Sequence, residues 1–223
     1  MLPSNVVEVL EYIEPDGRSP YAESFDSLNP PAAAKVMIAA ARLAQGNLFN
    51  VKSVAGGVHE YRIDFGPGYR VYFGRGWPAG DSAARWRHQE ATVERHRECA
   101  GPLAGLQAKK ETGDSIVALT RDFKETIQAR ARRDSAFRKE LLREAVESFL
   151  SGDVETGKAV LRDYIHATVG FSELADETHH SPKSLMRMLG PSGNPQARNL
   201  FEIVYYLQQR EKVRLKVRAA AAR

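Results

Sequence analysis

A single cysteine, Cys99, leaves this chain no internal disulfide to form. Its stability must come from packing, and a reducing cytoplasm is the expected setting. No apolar run approaches the roughly 20 residues that a membrane span needs. The leading segment MLPSNVVEVLEYIEPDG has no basic stretch followed by an apolar one, so neither export nor a membrane partner is expected. Metal-ligand spacing is missing as well. His166, His179 and His180 have no cysteine or carboxylate following at ligand intervals, so no metal or cofactor is expected.

What remains is a chain of ordinary globular composition, 43% hydrophobic and 27% charged. Its 223 residues suffice for one large domain or two small ones. The net charge of +4 is unevenly spread. Residues 1–75 carry 7 Lys/Arg against 8 Asp/Glu, residues 76–116 carry 6 against 6, and residues 117–223 carry 19 against 14. The basic excess thus lies in the C-terminal half, where either a phosphate-binding face or a solvated surface accounts for it.

The hydrophobic pattern changes at the same boundaries. Residues 1–75 are expected to form a small α+β unit. Val6 to Ile13 alternates as a strand and Glu14-Pro15-Asp16-Gly17 ends it with turn chemistry. Ser19-Pro20 opens a helix to about Leu28, and Pro31 opens a second, alanine-rich helix closed by Gly46-Asn47. His59 to Phe65 and Tyr69 to Phe73 then read as strands joined at Gly66-Pro67-Gly68. Helices packed on one face of a small antiparallel sheet follow from that order.

Residues 76–116 show no sustained hydrophobic period and read as an irregular linker. Residues 117–223 read as almost wholly helical. Phe137, Leu141, Leu142, Ala145, Val146, Phe149 and Leu150 form one apolar stripe, and Val160, Leu161, Tyr164 and Ile165 form the next. Three shorter helices are expected to follow. Val213, Leu215 and Val217, alternating with Arg214, Lys216 and Arg218, are expected as an edge strand.

The segment FSELADETHHSPKSLMRMLG, residues 171–190, has the spacing of a helix-turn-helix. Leu174 and Ala175 face inward on a first helix, and the turn falls at His179-His180. Ser181 caps a second helix that has Pro182 at its first position, and Leu185, Met188 and Leu189 return to the core. Pro182, Lys183, Ser184 and Arg187 are left outward near the N-terminus of that helix, where a recognition helix meets the major groove. Arg198, opening the next helix, either binds a phosphate or caps a loop.

With ALTRDFKETIQAR, GDVETGKAVLRDYI, SPKSLMRMLGPSGNP and ARNLFEIVYYL, this half resembles the Cro/C1-type helix-turn-helix antitoxins, in particular the HigA-like addiction module antidotes. The resemblance covers about residues 117–218. It implies an operator-binding, self-repressing antitoxin that acts as a homodimer and partners a toxin. His179 stands where that family usually has glycine, so a left-handed non-glycine residue and slight destabilisation are expected there.

The N-terminal half, through GGVHEYRIDFGPGYRVYFG, PDGRSPYAESFDSL and GNLFNVKSV, resembles the RelE/ParE toxin superfamily, nearest the HigB-like addiction module killers. Active members cleave mRNA on the ribosome with basic side chains instead of a metal. Such residues hold phosphates, stabilise developing negative charge and activate a ribose hydroxyl. The resemblance implies Arg62 and Arg70 as the basic residues of the hairpin, with Lys52 and His59 completing a vestigial catalytic set. Ordinary exposed strand arginines are the alternative.

The family's last strand, Gly-Gly-x-Lys-Lys-Arg-Gln segment and C-terminal helix do not follow. Permitted codons for WRHQEATVERHRE, read from the second base of the Trp86 codon, spell Gly-Gly-Thr-Lys-Lys-Arg-Gln-Leu-Ser-Asp-Ile-Glu. A change of reading frame near Arg75 is therefore inferred, leaving a truncated, inactive toxin half with an unpaired sheet edge. Val117 then marks the start of the antitoxin text. A bifunctional fusion that retains ribosome-dependent mRNA cleavage, restrained by its own antitoxin half, is the alternative.

Overall fold

Ser19 and Asn29 start the two N-terminal helices by the same chemistry. Ser19 Oγ accepts the Ala22 N–H at 3.1 Å, Asn29 Oδ1 accepts the Ala32 N–H at 3.0 Å, and a proline follows each cap. Each side chain thereby satisfies one of the N–H groups that a helix start leaves orphaned. The resulting helices are α1 (Pro20–Ser27) and α2 (Pro30–Ala44) in the structure, a computed structural model that describes residues 9–14, 16–55, 58–74, 93–95 and 119–219. At the end of α2 the N–H groups of Gly46 and Asn47 return to the carbonyls of Leu43 and Arg42, with Gly46 at φ +75°. That left-handed turn suits glycine because it has no Cβ to clash.

The architecture is α+β, and the chain divides into two units, Met1–Arg130 and Ala131–Arg223. In the first, a four-stranded antiparallel sheet runs in the order β2 (Val51–Ala55), β3 (Val58–Ile63), β4 (Tyr69–Gly74), β5 (Val93–Arg95). The β3–β4 turn uses Gly66 and Gly68 at φ +56° and +82°. Tyr61, Ile63, Tyr69, Val71 and Phe73 alternate along the hairpin and are buried, and α2 packs against β3. The period of two sends the intervening residues to the opposite face.

Several expectations need correction here. β2 was not expected as a strand, because its alternation is short and polar. β5 gives β4 a partner through Tyr69↔Arg95, Arg70↔Glu94 and Val71↔Val93, so over those residues the sheet edge is not bare. An open edge presents unpaired N–H and C=O groups to any extended segment within reach. Strand β5 falls inside the segment read as irregular. The rest of that segment, with the frame change inferred for it, lies outside the described residues, as do Val6 to Glu8 of the first expected strand.

The first strand, β1 (Leu10–Ile13), does not join this sheet. It pairs antiparallel with β6 (Leu119–Asp122) in a sheet of its own, in the register Leu10↔Asp122 to Ile13↔Leu119. Residues 119–130, expected within the C-terminal half, thus belong to the first unit. Helix α3 (Phe123–Arg133) follows β6 directly.

In the second unit, Asp134 caps α4 (Ser135–Leu150) by accepting the Phe137 N–H at 2.9 Å. Phe137, Leu141, Leu142 and Ala145 are fully buried, whereas Leu150, expected on that stripe, is 59% exposed in the last turn. Helix α5 (Val154–Ala167) buries Val160, Leu161, Tyr164 and Ile165 and packs on α4. Then come α6 (Gly170–Thr178), α7 (Pro182–Met188) and α8 (Ala197–Glu211), the last of 15 residues and not short.

The edge strand expected at 213–217 is absent, and residues 213–219 have no regular secondary structure. Val213 and Leu215 are half-buried and Arg214 and Lys216 exposed, as alternation implied, but Val217 is exposed and breaks the pattern. Their amides, however, are taken by the end of α8. The Val213 N–H donates to the Gln208 carbonyl at 3.0 Å and the Leu215 N–H to Gln208 Oε1 at 2.7 Å.

Candidate nucleic-acid interface

Helices α6 and α7 are joined by His179, His180 and Ser181. His179 ends α6 in the left-handed conformation, φ +53° and ψ +28°. Ser181 caps α7, its Oγ accepting the Ser184 N–H at 3.2 Å, and Pro182 occupies the first helical turn. Leu174, Ala175, Thr178, Leu185 and Leu189 are buried beneath the two helices. The Thr178 hydroxyl is satisfied by the Leu174 carbonyl at 2.7 Å, so a polar side chain sits in this core without an unmet donor.

Pro182, Lys183 and Arg187 are exposed and Ser184 is half-buried, with Lys183 and Arg187 one turn apart on the same face. Met186, not singled out from the sequence, is 47% exposed beside them. Its place three residues after Lys183 was the available signal. Arg198 is exposed in the first turn of α8. A cation there opposes the helix dipole, so Arg198 does not serve the stability of its own helix. Among the described residues no hydrogen bond or ion pair engages the side chains of Lys183, Arg187 or Arg198. All three present unused donors to solvent.

The loop between α7 and α8 is held from below by residues that sequence reasoning missed. Lys158 is 1% exposed, and its Nζ donates to the Gly193 carbonyl at 2.5 Å and pairs with Glu155 at 2.8 Å. Arg162 Nη1 donates to the Leu189 carbonyl at 3.3 Å. Both cations therefore sit where the end of α7 and its following turn leave carbonyls to satisfy. The signal was a lysine three residues before Leu161, in line with the apolar stripe of α5. Gly193 approaches so closely that a Cβ there would collide with the carbonyl oxygens of Arg187 and Met188.

The second candidate cluster lies on the first unit's sheet. Arg62 and Arg70 are cross-strand partners, and Lys52 lies opposite Glu60, so these four share one face. Glu60 is 5% exposed, ion-paired with Arg62, 3.5 Å from Arg70 Nη1, and accepts from the Tyr72 hydroxyl at 3.4 Å. Glu60 and Tyr72 were both missed, although alternation places Glu60 on the face of Arg62. Lys52 is exposed. His59 is not brought to this cluster: one residue from Glu60, it points to the other face and stacks on Phe73 with ring centroids 5.5 Å apart. The expected set of Arg62, Arg70, Lys52 and His59 is therefore split across the sheet.

Among the described residues no group of three His, Cys, Asp or Glu side chains could hold a metal ion. None of their helices is long and apolar enough to cross a membrane. Comparison with protein-family models, curated proteins and solved structures finds no match.

Proposed function

We propose that the second unit is a helix-turn-helix antitoxin that binds operator DNA as a dimer and represses its own operon, carried on a truncated, inactive RelE-like toxin. The supporting observation is the outward row Lys183–Arg187 on a capped helix whose inner side is anchored by Leu185 and Leu189. Rigid anchoring with unengaged cations outside is what base and phosphate contacts require. Arg198 adds a further donor, assigned here to a phosphate.

Lys183→Ala or Arg187→Ala is expected to cost roughly 1–3 kcal/mol of affinity for duplex from the module's own promoter where it removes a base contact. Binding weakens steeply with salt, because neutralised phosphates release counterions. Fluorescence anisotropy across a salt series reads both effects. If both variants bind as tightly as the wild type, α7 is not the recognition helix.

A bifunctional fusion is favoured by one observation, the shared face of Arg62, Arg70 and Lys52. Against it stands Glu60, which occupies the arginines with the protein's own carboxylate. Growth arrest with mRNA cleavage on expression of the full chain, abolished by Arg70→Ala, would decide for the bifunctional form.

A further inference from the structure

Within the first unit, strand β6 and the first turns of α3 contact β1 and α1 as a ligand contacts a site. β6 adds a strand to β1, and the pairing is extended by the Phe123 N–H to the Val9 carbonyl at 3.5 Å. Glu11 and Arg121 are direct cross-strand partners, with Arg121 Nε donating to Glu11 Oε1 at 2.7 Å. The Glu11 carboxylate is wholly buried and also accepts the hydroxyls of Thr126, from α3, and Ser19, the cap of α1. Burying a carboxylate is tolerated only with such a full set of donors. The bond to Glu11 holds the Arg121 guanidinium above its ordinary range. Burial, with the nearby Glu11 charge, raises the Tyr21 phenol.

One turn beyond Thr126, Arg130 closes the contact. Its guanidinium is 4% exposed, donates to the carbonyls of Phe25 and Leu28, and lies 5.2 Å from the centre of the Phe25 ring. Both carbonyls lie at the C-terminal end of α1, where that of Phe25 also accepts the Leu28 N–H at 3.3 Å, so a cation there adds a charged donor at the negative end of the helix dipole. Phe123 and Ile127, one turn apart, are 2% and 1% exposed. The segment thus carries a strand edge, an apolar pair and two specifically placed guanidinium groups within twelve residues.

We propose that residues 119–130 are a docking element, and that their seat on β1 and the C-terminal end of α1 is where the antitoxin text grips the toxin-like half. The recognised partner is a strand-then-helix peptide, with arginine opposite Glu11 and a second arginine nine residues on. This rests on the reading above of two once-separate halves. It adds the contact that joined them before they shared one chain: β-strand addition supplying backbone bonds, and arginines supplying specificity.

The test nicks the full chain. A recognition sequence for a site-specific protease is inserted after Gly105, and the purified protein is cleaved and passed over a sizing column at micromolar concentration. The fragments are expected to stay together, with slowed hydrogen exchange at residues 10–13 and 119–122. Arg121→Ala with Arg130→Ala should weaken their association roughly tenfold or more, since each change strands buried hydrogen-bonding partners. Glu125→Ala, exposed on the same helix, should leave it unchanged. Should the double variant lose structure before cleavage, Arg130→Lys is read instead, keeping the charge but losing one of the two carbonyl bonds. Separation of the wild-type fragments, or undiminished association with the arginine variants, overturns the proposal. Neither result touches DNA binding by α7, so failure here is distinguishable from failure of the antitoxin reading.

Discussion

Arg62 and Arg70 stand directly opposite one another on β3 and β4, two like charges in register. Such pairs destabilise a sheet unless something neutralises them. Glu60, buried one pair further along the same face, is that counter-charge. Glu60→Gln is expected to lower the stability of the first unit by about 1–3 kcal/mol, because both guanidinium groups lose an anionic partner. Arg62→Gln in the same background should recover part of the loss. Urea unfolding checks both, and an unaltered midpoint for Glu60→Gln would mean that solvent already screens the arginines.

How much of this was legible beforehand follows from which interactions are local. The caps at Ser19 and Ser181, the Gly46 turn and the Gly66-Pro67-Gly68 hairpin rest on residues within a few positions, and the structure has them all. The arginine row of the hairpin was legible for the same reason, since a period of two fixes the faces once the strand is recognised. Applied strictly, that period also separates His59 from Arg62, so this error was avoidable. The pairing of β1 with β6 was not legible, because it joins residues more than a hundred positions apart and residues 119–122 look like the start of a helical domain. Lys158 was hidden because a lysine in an apolar stripe looks like a lapse in the pattern until its carbonyl partner is seen.

Gly193 offers a test of how the end of α7 is held. A methyl group there would strike the Arg187 and Met188 carbonyls, both backbone and both in the last turn of α7. Gly193→Ala should therefore cost about 1–3 kcal/mol, as overpacking does. It should also weaken DNA binding more than its effect on stability alone implies, by displacing Arg187. Unchanged melting with unchanged affinity would show that the loop yields freely.

The second unit should also respond to alkaline pH through Tyr164. This tyrosine is fully buried, and its hydroxyl donates to Glu211 Oε1 at 2.7 Å, which also accepts from Arg138 Nε at 2.7 Å. Burial first, and then the bond to Glu211, raise the phenol well above its ordinary value of 10.0. The unfolded chain therefore gives up this proton at lower pH than the folded one. The stability it contributes is complete below about pH 10, and it declines as pH rises from there toward the raised folded value. Tyr164→Phe should be less stable at neutral pH and show a flatter decline above pH 10. An equally steep decline in both proteins would place the alkaline sensitivity elsewhere.

His179 gives the most direct test of a residue read from sequence and then located. It holds φ +53° where the two helices turn, and it is exposed, so neither packing nor a buried hydrogen bond requires an imidazole. An L-residue in this region carries a penalty of roughly 1–2 kcal/mol because its Cβ crowds the following carbonyl. Glycine escapes that crowding but loses more chain entropy on folding, which returns about 0.5–1 kcal/mol of the gain. The net expectation for His179→Gly is a stabilisation of about 0.5–1 kcal/mol, seen as a higher urea midpoint at constant slope. His179→Val should move the midpoint the other way by about 1 kcal/mol or more, since β-branching makes the left-handed region a true outlier. Affinity for DNA should not change in the glycine variant, because α7 keeps its cap at Ser181 and its anchors at Leu185 and Leu189. A glycine variant less stable than the wild type at unchanged slope would mean that the His179 side chain makes a compensating interaction larger than the strain it bears.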